Sequence, residues 1–96
     1  MVTEPEAPPF EQLLAQLRAE AYEFEKLTAS LAYAKKHPLK VAELKQLFRL
    51  LSYDQTRLQL LQNISSRIRN PDRLAELEEE LEYEISKKKL QKIISP

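Results

Sequence analysis

The chain has 96 residues, 43% of them apolar and 31% charged, and its 15 basic and 15 acidic side chains cancel, which suits one small domain with a modest core. It has no Cys, which excludes a disulfide framework, a thiolate zinc site and a cysteine nucleophile, and no Gly, which removes the phosphate-cradling loops that depend on close backbone approach. No apolar run is long enough to span a bilayer, and the acidic, proline-rich start "MVTEPEAPPF" is unlike a signal peptide.

Val2 to Pro9 holds three prolines and two glutamates and reads as a disordered linker, so residues 1–9 are set apart from a single helical domain over residues 10–96. From Phe10 the spacing is helical: Phe10, Leu13, Leu14 and Leu17 share a face, and Phe24, Leu27, Leu31 and Ala34 continue it with a small phase shift. One long helix to about Lys36, or two with a bend near Ala21, both satisfy this spacing. "KKHPLK" then breaks the pattern. Pro38 lacks a donor and disfavours the α region at His37, while Lys35 and Lys36 suit the negative end of a helix. Pro38 is expected in the first turn of the next helix. Its Leu39, Val41, Leu44, Leu47, Phe48, Leu50 and Leu51 predict the most buried helix of the chain.

At "SYDQT" another helix is expected, with Ser52 or Asp54 as N-cap and Tyr53, Leu58, Leu60, Leu61, Ile64 and Ile68 on one face to about Arg69. "RNPD" is a stop–start signal: Asn70 as N-cap, Pro71 at the first helical position and Asp72 in the first turn. In the last segment Leu74, Leu77, Leu81 and Ile85 share one face, and Tyr83, Leu90, Ile93 and Ile94 share the opposite one. A break near Glu84–Ser86 lets both sets reach a core.

A phrase recurs along this path. Tyr22, Tyr53 and Tyr83 stand 31 and 30 residues apart, each followed by an acid and then by a basic residue and Leu: Lys26-Leu27, Arg57-Leu58 and Lys89-Leu90. Pro9, Pro38 and Pro71 open the three stretches. A period near 30 with a helix–turn–helix unit marks a helical repeat. The expected fold is therefore all-α, five or six short helices in about three helical hairpins, as a small repeat or bundle. Each tyrosine is expected to pack its ring at a bend and send its hydroxyl to water or a carbonyl.

The stretches "VAELKQLFRLLSYDQTRLQLL" and "LEYEISKKKLQKII" resemble the helical domain-of-unknown-function family 4476, which is also seen in proline- and serine-rich proteins. The resemblance covers roughly Phe10 to Ile94. The chain departs from the pattern at its first bend, where Glu23 and Phe24 replace the usual Ser or Asp. The family implies no catalytic residues.

Candidate chemistry is weighed against plainer readings. His37, the single histidine, reads as a helix-end residue, since no orienting partner for a catalytic base is evident. Glu76, Glu79, Glu80 and Glu84 lie at helical spacing, but the Glu-x-x-His pairs of a carboxylate metal site are missing, so a solvated acidic helix face is expected. Lys35, Lys36, Lys40, Arg67, Arg69 and Arg73 form a basic middle: Lys35–Arg73 carries a net +6, against −4 for Met1–Ala34, −6 for Leu74–Glu84 and +4 for Ile85–Pro96. Zero net charge argues against a nucleic-acid partner.

These observations describe a non-catalytic interaction or structural module rather than an enzyme, with no catalytic, cofactor or metal residues and no cofactor. The expected partner is another protein or peptide, or a second copy in a homo-oligomer, bound in a groove between hairpins. Two alternatives stand beside it: a nucleic-acid-binding helical domain using the basic middle, and a designed or model-generated helical protein, which the lack of Gly and Cys and the stretch "NPDRLAELEEELE" suggest.

Overall fold

The computed structural model describes residues 9–94. The linker expected at residues 1–9 lies outside them apart from Pro9, which opens the first helix, where its missing N–H costs nothing. Among the described residues there are five α-helices: α1 (Pro9–Ala19), α2 (Glu23–Lys36), α3 (Val41–Leu50), α4 (Asp54–Ile64) and α5 (Glu84–Ile94). A 3₁₀ turn (Ser65–Arg67) follows α4, and a 3₁₀ helix (Pro71–Glu80) precedes α5. The described residues hold no strand, only an isolated parallel bridge between Leu39 and Ile68. The fold is all-α, as the spacing of apolar residues predicts.

The elements form two layers. α1, α3 and the 3₁₀ helix lie side by side, and α2, α4 and α5 run alongside one another on top of them. The chain alternates between layers and steps sideways with each pass. This places the N-termini of α2, α4 and α5 along one edge, and the Leu39–Ile68 bridge on the opposite edge.

With no glycine to adopt a left-handed C-cap, the helices end by another route. His37, Leu51 and Leu81 each leave their helix directly in extended conformation, and the described residues contain no positive φ. His37 and Leu51 still donate their N–H groups to Tyr33 and Leu47, four residues back.

Phe10, Leu13, Leu14, Leu17, Leu27 and Ala34 close the core beneath α1 and α2, which are two helices separated by a bend at residues 20–22. The Tyr33 ring meets Phe10 edge-on at 5.9 Å and stacks on His37 at 4.6 Å, tying the far ends of this hairpin together. α3 supplies Val41, Leu44, Leu47 and Phe48, all fully buried, as expected for the most apolar helix.

Several local expectations are corrected. Pro38 does not enter the next helix: α3 begins at Val41, because Leu39 is drawn into its bridge with Ile68 and Arg69 N–H donates to the Leu39 carbonyl at 2.8 Å. The Lys40 N–H is held by Glu43 Oε1 at 2.9 Å, and the Val41 N–H by Asn70 Oδ1 at 2.9 Å. Asn70 thus uses its side chain on the start of α3, not on the segment that it precedes. The helix from Asp54 ends at Ile64 and tightens into the 3₁₀ turn instead of reaching Arg69. The final break falls at residues 81–83, so α5 starts at Glu84.

The 3₁₀ geometry of Pro71–Glu80 suits its sequence. At three residues per turn, positions i and i+3 eclipse. Leu74 and Leu77 therefore make one buried ridge, and Glu76 and Glu79 make another. Lys45 of α3 reaches both acids, at 3.0 and 3.8 Å, and Arg49 pairs with Glu80 at 2.8 Å. Glu76 and Glu80 are thus drawn into an ion-paired seam against α3, whereas Glu79 at its margin and Glu84 remain in water, as the composition suggests.

Candidate functional site

The tyrosines are the main departure from expectation. Tyr22, Tyr53 and Tyr83 do not pack at the bends; they are 62 to 71% exposed. Tyr22 and Tyr53 are the N-caps of α2 and α4, and Tyr83 immediately precedes α5. Their carbonyls accept the N–H of Lys26, Arg57 and Lys87, respectively. The third basic residue in register is therefore Lys87, not Lys89, because the helix counts four residues from each tyrosine. Phe24 and Ile85, both assigned to the core by spacing, are likewise exposed beside this edge, at 71% and 65%.

What fixes the bends is the acid that follows each tyrosine. Glu23 does not cap its own helix. Its carboxylate accepts the Ser52 N–H on both oxygens at 2.9 Å and the Tyr53 N–H at 3.0 Å. Asp54 does the same one hairpin further on, accepting the Glu82 N–H at 3.0 and 3.1 Å and the Tyr83 N–H at 3.0 Å. In both cases one carboxylate serves two adjacent N–H groups at the start of the next helix, where the helix dipole favours negative charge. Neither Ser52 nor Asp54 is the side-chain cap of α4, since Tyr53 occupies the N-cap without a side-chain bond.

Asp54 is buried together with Arg57, which bonds it at 2.9 Å through Nη1. The remaining guanidinium donors reach the Phe48 carbonyl at 2.8 Å and the Leu51 carbonyl at 2.6 Å, satisfying the exposed end of α3. Burial alone would raise the Asp54 carboxyl. Hydrogen bonds from Ser86, from the Glu82 and Tyr83 N–H groups and from Arg57 outweigh it and hold the carboxyl below its ordinary value. Lys26, in register with Arg57, does not reach back to its own hairpin; it makes a single bond across to the next one, from Nζ to the Leu50 carbonyl at 3.0 Å.

Between α4 and α5 this edge opens into a cleft of about 830 Å³. Asp54, Leu58 and Ser86 form its buried floor. Tyr53 and Tyr83 stand at its rim, and Gln55, Gln59, Gln62 and Lys89 line its walls. The glutamines recur on the exposed side of α4 at helical spacing, so their amides face one groove. Sequence reasoning passed over them, although a polar stripe on an otherwise leucine-rich helix was the available signal.

The other sequence candidates lie elsewhere. His37 is half-buried at the C-terminus of α2, on the opposite edge, stacked on Tyr33. Glu76, Glu79 and Glu80 belong to the α3 seam, and Glu84 lies apart from them at the start of α5. Among the described residues no group of three or more His, Asp or Glu side chains is placed to hold a metal. Of the basic residues, Lys40 and Arg69 share a small pocket with His37 and Glu43, and Arg73 is bonded to Glu76. No helix among the described residues is long and apolar enough to cross a membrane.

No curated protein and no solved structure matches the chain. The model of the family described as "Domain of unknown function (DUF4476)" matches residues 5–94, almost the whole sequence, and on that match the chain belongs to the DUF4476 family.

Proposed function

We propose that the chain is a non-catalytic, repeat-type helical module that binds an extended segment of another protein in the cleft between α4 and α5. The observation that carries this reading is the pair of exposed tyrosines, Tyr53 and Tyr83, at the rim of a cleft whose walls offer Gln55, Gln59 and Gln62. Tyrosine rings give large contact area at little entropic cost, and amide side chains can pair with both the N–H and C=O groups of an extended main chain. An apolar side chain of the bound segment would lie between the rings, and an acidic one would meet Lys89. Binding needs no movement of the bends, because Glu23, Asp54 and Arg57 already fix them.

The test is selection from a displayed library of random peptides, followed by titration of the selected peptides against the protein and a Tyr53→Ala/Tyr83→Ala double variant. The rings are exposed, so the variant should fold. Peptides that bind the protein should lose about tenfold or more in affinity for the variant, as expected for aromatic anchors. If no peptide is enriched, or the enriched ones bind both proteins equally, the reading fails.

A further inference from the structure

The carboxylate rule that joins the hairpins has two unequal ends. Glu23 reaches residues 52 and 53, and Asp54 reaches residues 82 and 83. The next acid in this series is Glu84, one position past Tyr83. It is exposed, and among the described residues it pairs only with Lys87 of its own helix, at 3.3 Å. At the other end, the two equivalent N–H groups are those of Ala21 and Tyr22. Among the described residues their acceptor is Glu20, one and two residues away, with a single oxygen at 3.0 and 3.4 Å. Those bonds are poorer than the two-oxygen pattern at either inner bend. In the inner hairpins the residue two before the tyrosine is a buried leucine, Leu51 or Leu81; in the first it is Glu20.

We infer that the outer side of the last hairpin docks the first hairpin of a second copy of this chain, head to tail, with Glu84 of one copy replacing Glu20 at the Ala21–Tyr22 N–H pair of the next. The unfilled acceptor and the weakly held donors are the two halves of a contact that the chain already makes twice internally. Apolar groups accompany both halves: Ile85 beside Glu84, and Phe24 beside Tyr22. Charge is complementary as well. α5 exposes Lys88 and Lys92 on the side of Ile85, whereas the first hairpin exposes Glu25 close in sequence to a half-buried Glu20. This contact is heterologous, so it builds a ring or an open row according to the rotation between copies, and Glu20 acts as the built-in competitor that keeps it weak. It is separate from the cleft, whose tyrosines and glutamines it leaves free.

Sedimentation equilibrium over the micromolar to millimolar range, at low salt, tests this with the intact chain and two exposed-site variants. The weight-average mass of the protein should rise with concentration above the 11.2 kDa of one chain. Glu84→Lys should weaken association by about tenfold or more, the factor expected when a charged hydrogen-bond acceptor is lost. Glu20→Ala should strengthen association severalfold, because it frees the N–H pair; a merely structural role for Glu20 would not produce that gain. Circular dichroism confirms that both variants keep their helices. The inference is overturned if the protein stays at one-chain mass throughout, if Glu84→Lys associates as well as the protein, or if Glu20→Ala does not associate more tightly. Loss of peptide binding in the tyrosine variant with self-association intact would separate this contact from the cleft.

Discussion

Glu23 and Asp54 make the same hydrogen bonds in different surroundings. Each accepts two adjacent N–H groups at the start of the next helix. Glu23 does so at the margin of the molecule, half in water, with Lys26 beside it making one hydrogen bond to the end of α3. Asp54 does so in the interior, clamped by Arg57 and Ser86, and Arg57 in turn holds two carbonyls at the end of α3, in its own hairpin. The number of bonds is therefore a poor guide to what each acid contributes. Burial decides, because a buried group left without its partner finds no water to replace it.

The largest effect should follow from breaking the inner arrangement. Asp54→Ala leaves the buried Arg57 cation with the half-exposed Glu82 carboxylate, 3.9 Å away, as its counter-charge, and leaves two N–H groups at the start of α5 without an acceptor. Breaking a buried pair in this way costs about 3–5 kcal/mol, a large share of what a domain of this size has. Urea unfolding of both proteins measures it directly. A loss no greater than that of an ordinary surface substitution would mean that burial does not separate the two acids.

The same carboxylate makes stability depend on pH. Its folded value lies below the ordinary Asp value, so its contribution is fully present above the unfolded pKa of about 3.9 and is lost as pH falls through the lower folded value. Thermal melts at successively lower pH should show the protein losing stability across that acid window. Asp54→Asn, which has nothing to titrate there, should show a flatter decline. Equal slopes in the two proteins would assign the acid sensitivity to other carboxylates, with Glu76 the first to consider, since its bonds to Arg73 and Lys45 also hold it below its ordinary value.

Much of this frame is legible in the sequence, and the reason is physical. Helix faces follow from apolar spacing and breaks from prolines, both local properties, so most core leucines read directly from Phe10 onward, while the split of α1 from α2 stays open and α3 is read as starting too early. The phrase around each tyrosine also marks the bends correctly. What it does not reveal is where the acid points. Asp54 in "SYDQT" satisfies every local rule for a helix cap, yet its oxygens serve residues 28 and 29 positions further on. That choice depends on how the hairpins stack. The same holds for Tyr53, Tyr83 and Ile85: their spacing fits a core, but they stand at helix starts along one edge and face outward. The cleft is the least legible feature, since it lies between helices that the sequence separates.

The outer arrangement should respond more gently. Glu23→Ala removes an acceptor whose N–H partners, at Ser52 and Tyr53, can turn to water. The loss of a helix cap of this kind costs about 0.5–2 kcal/mol. The comparison sharpens if Asp54→Ala and Glu23→Ala are combined. Their bends share no partner, so the two losses should add within a few tenths of a kcal/mol, whereas strong coupling would mean that the hairpins transmit strain along the row.

Smallest of all should be Arg49→Ala, although its bonds to Glu80 look as good as any in the molecule: two contacts to the same oxygen at 2.8 and 3.2 Å and a third to the other at 3.2 Å. Arg49 itself is exposed although Glu80 is largely covered, and an ion pair with its cation in water gains little, because that charge is solvated when apart. The melting temperature should fall less than in Glu23→Ala, and the difference should vanish in high salt, where such pairs are screened. A larger, salt-insensitive drop would show that the α3 seam holds the 3₁₀ helix in place. Geometry at the surface would then count for more than the contrast between Glu23 and Asp54 implies.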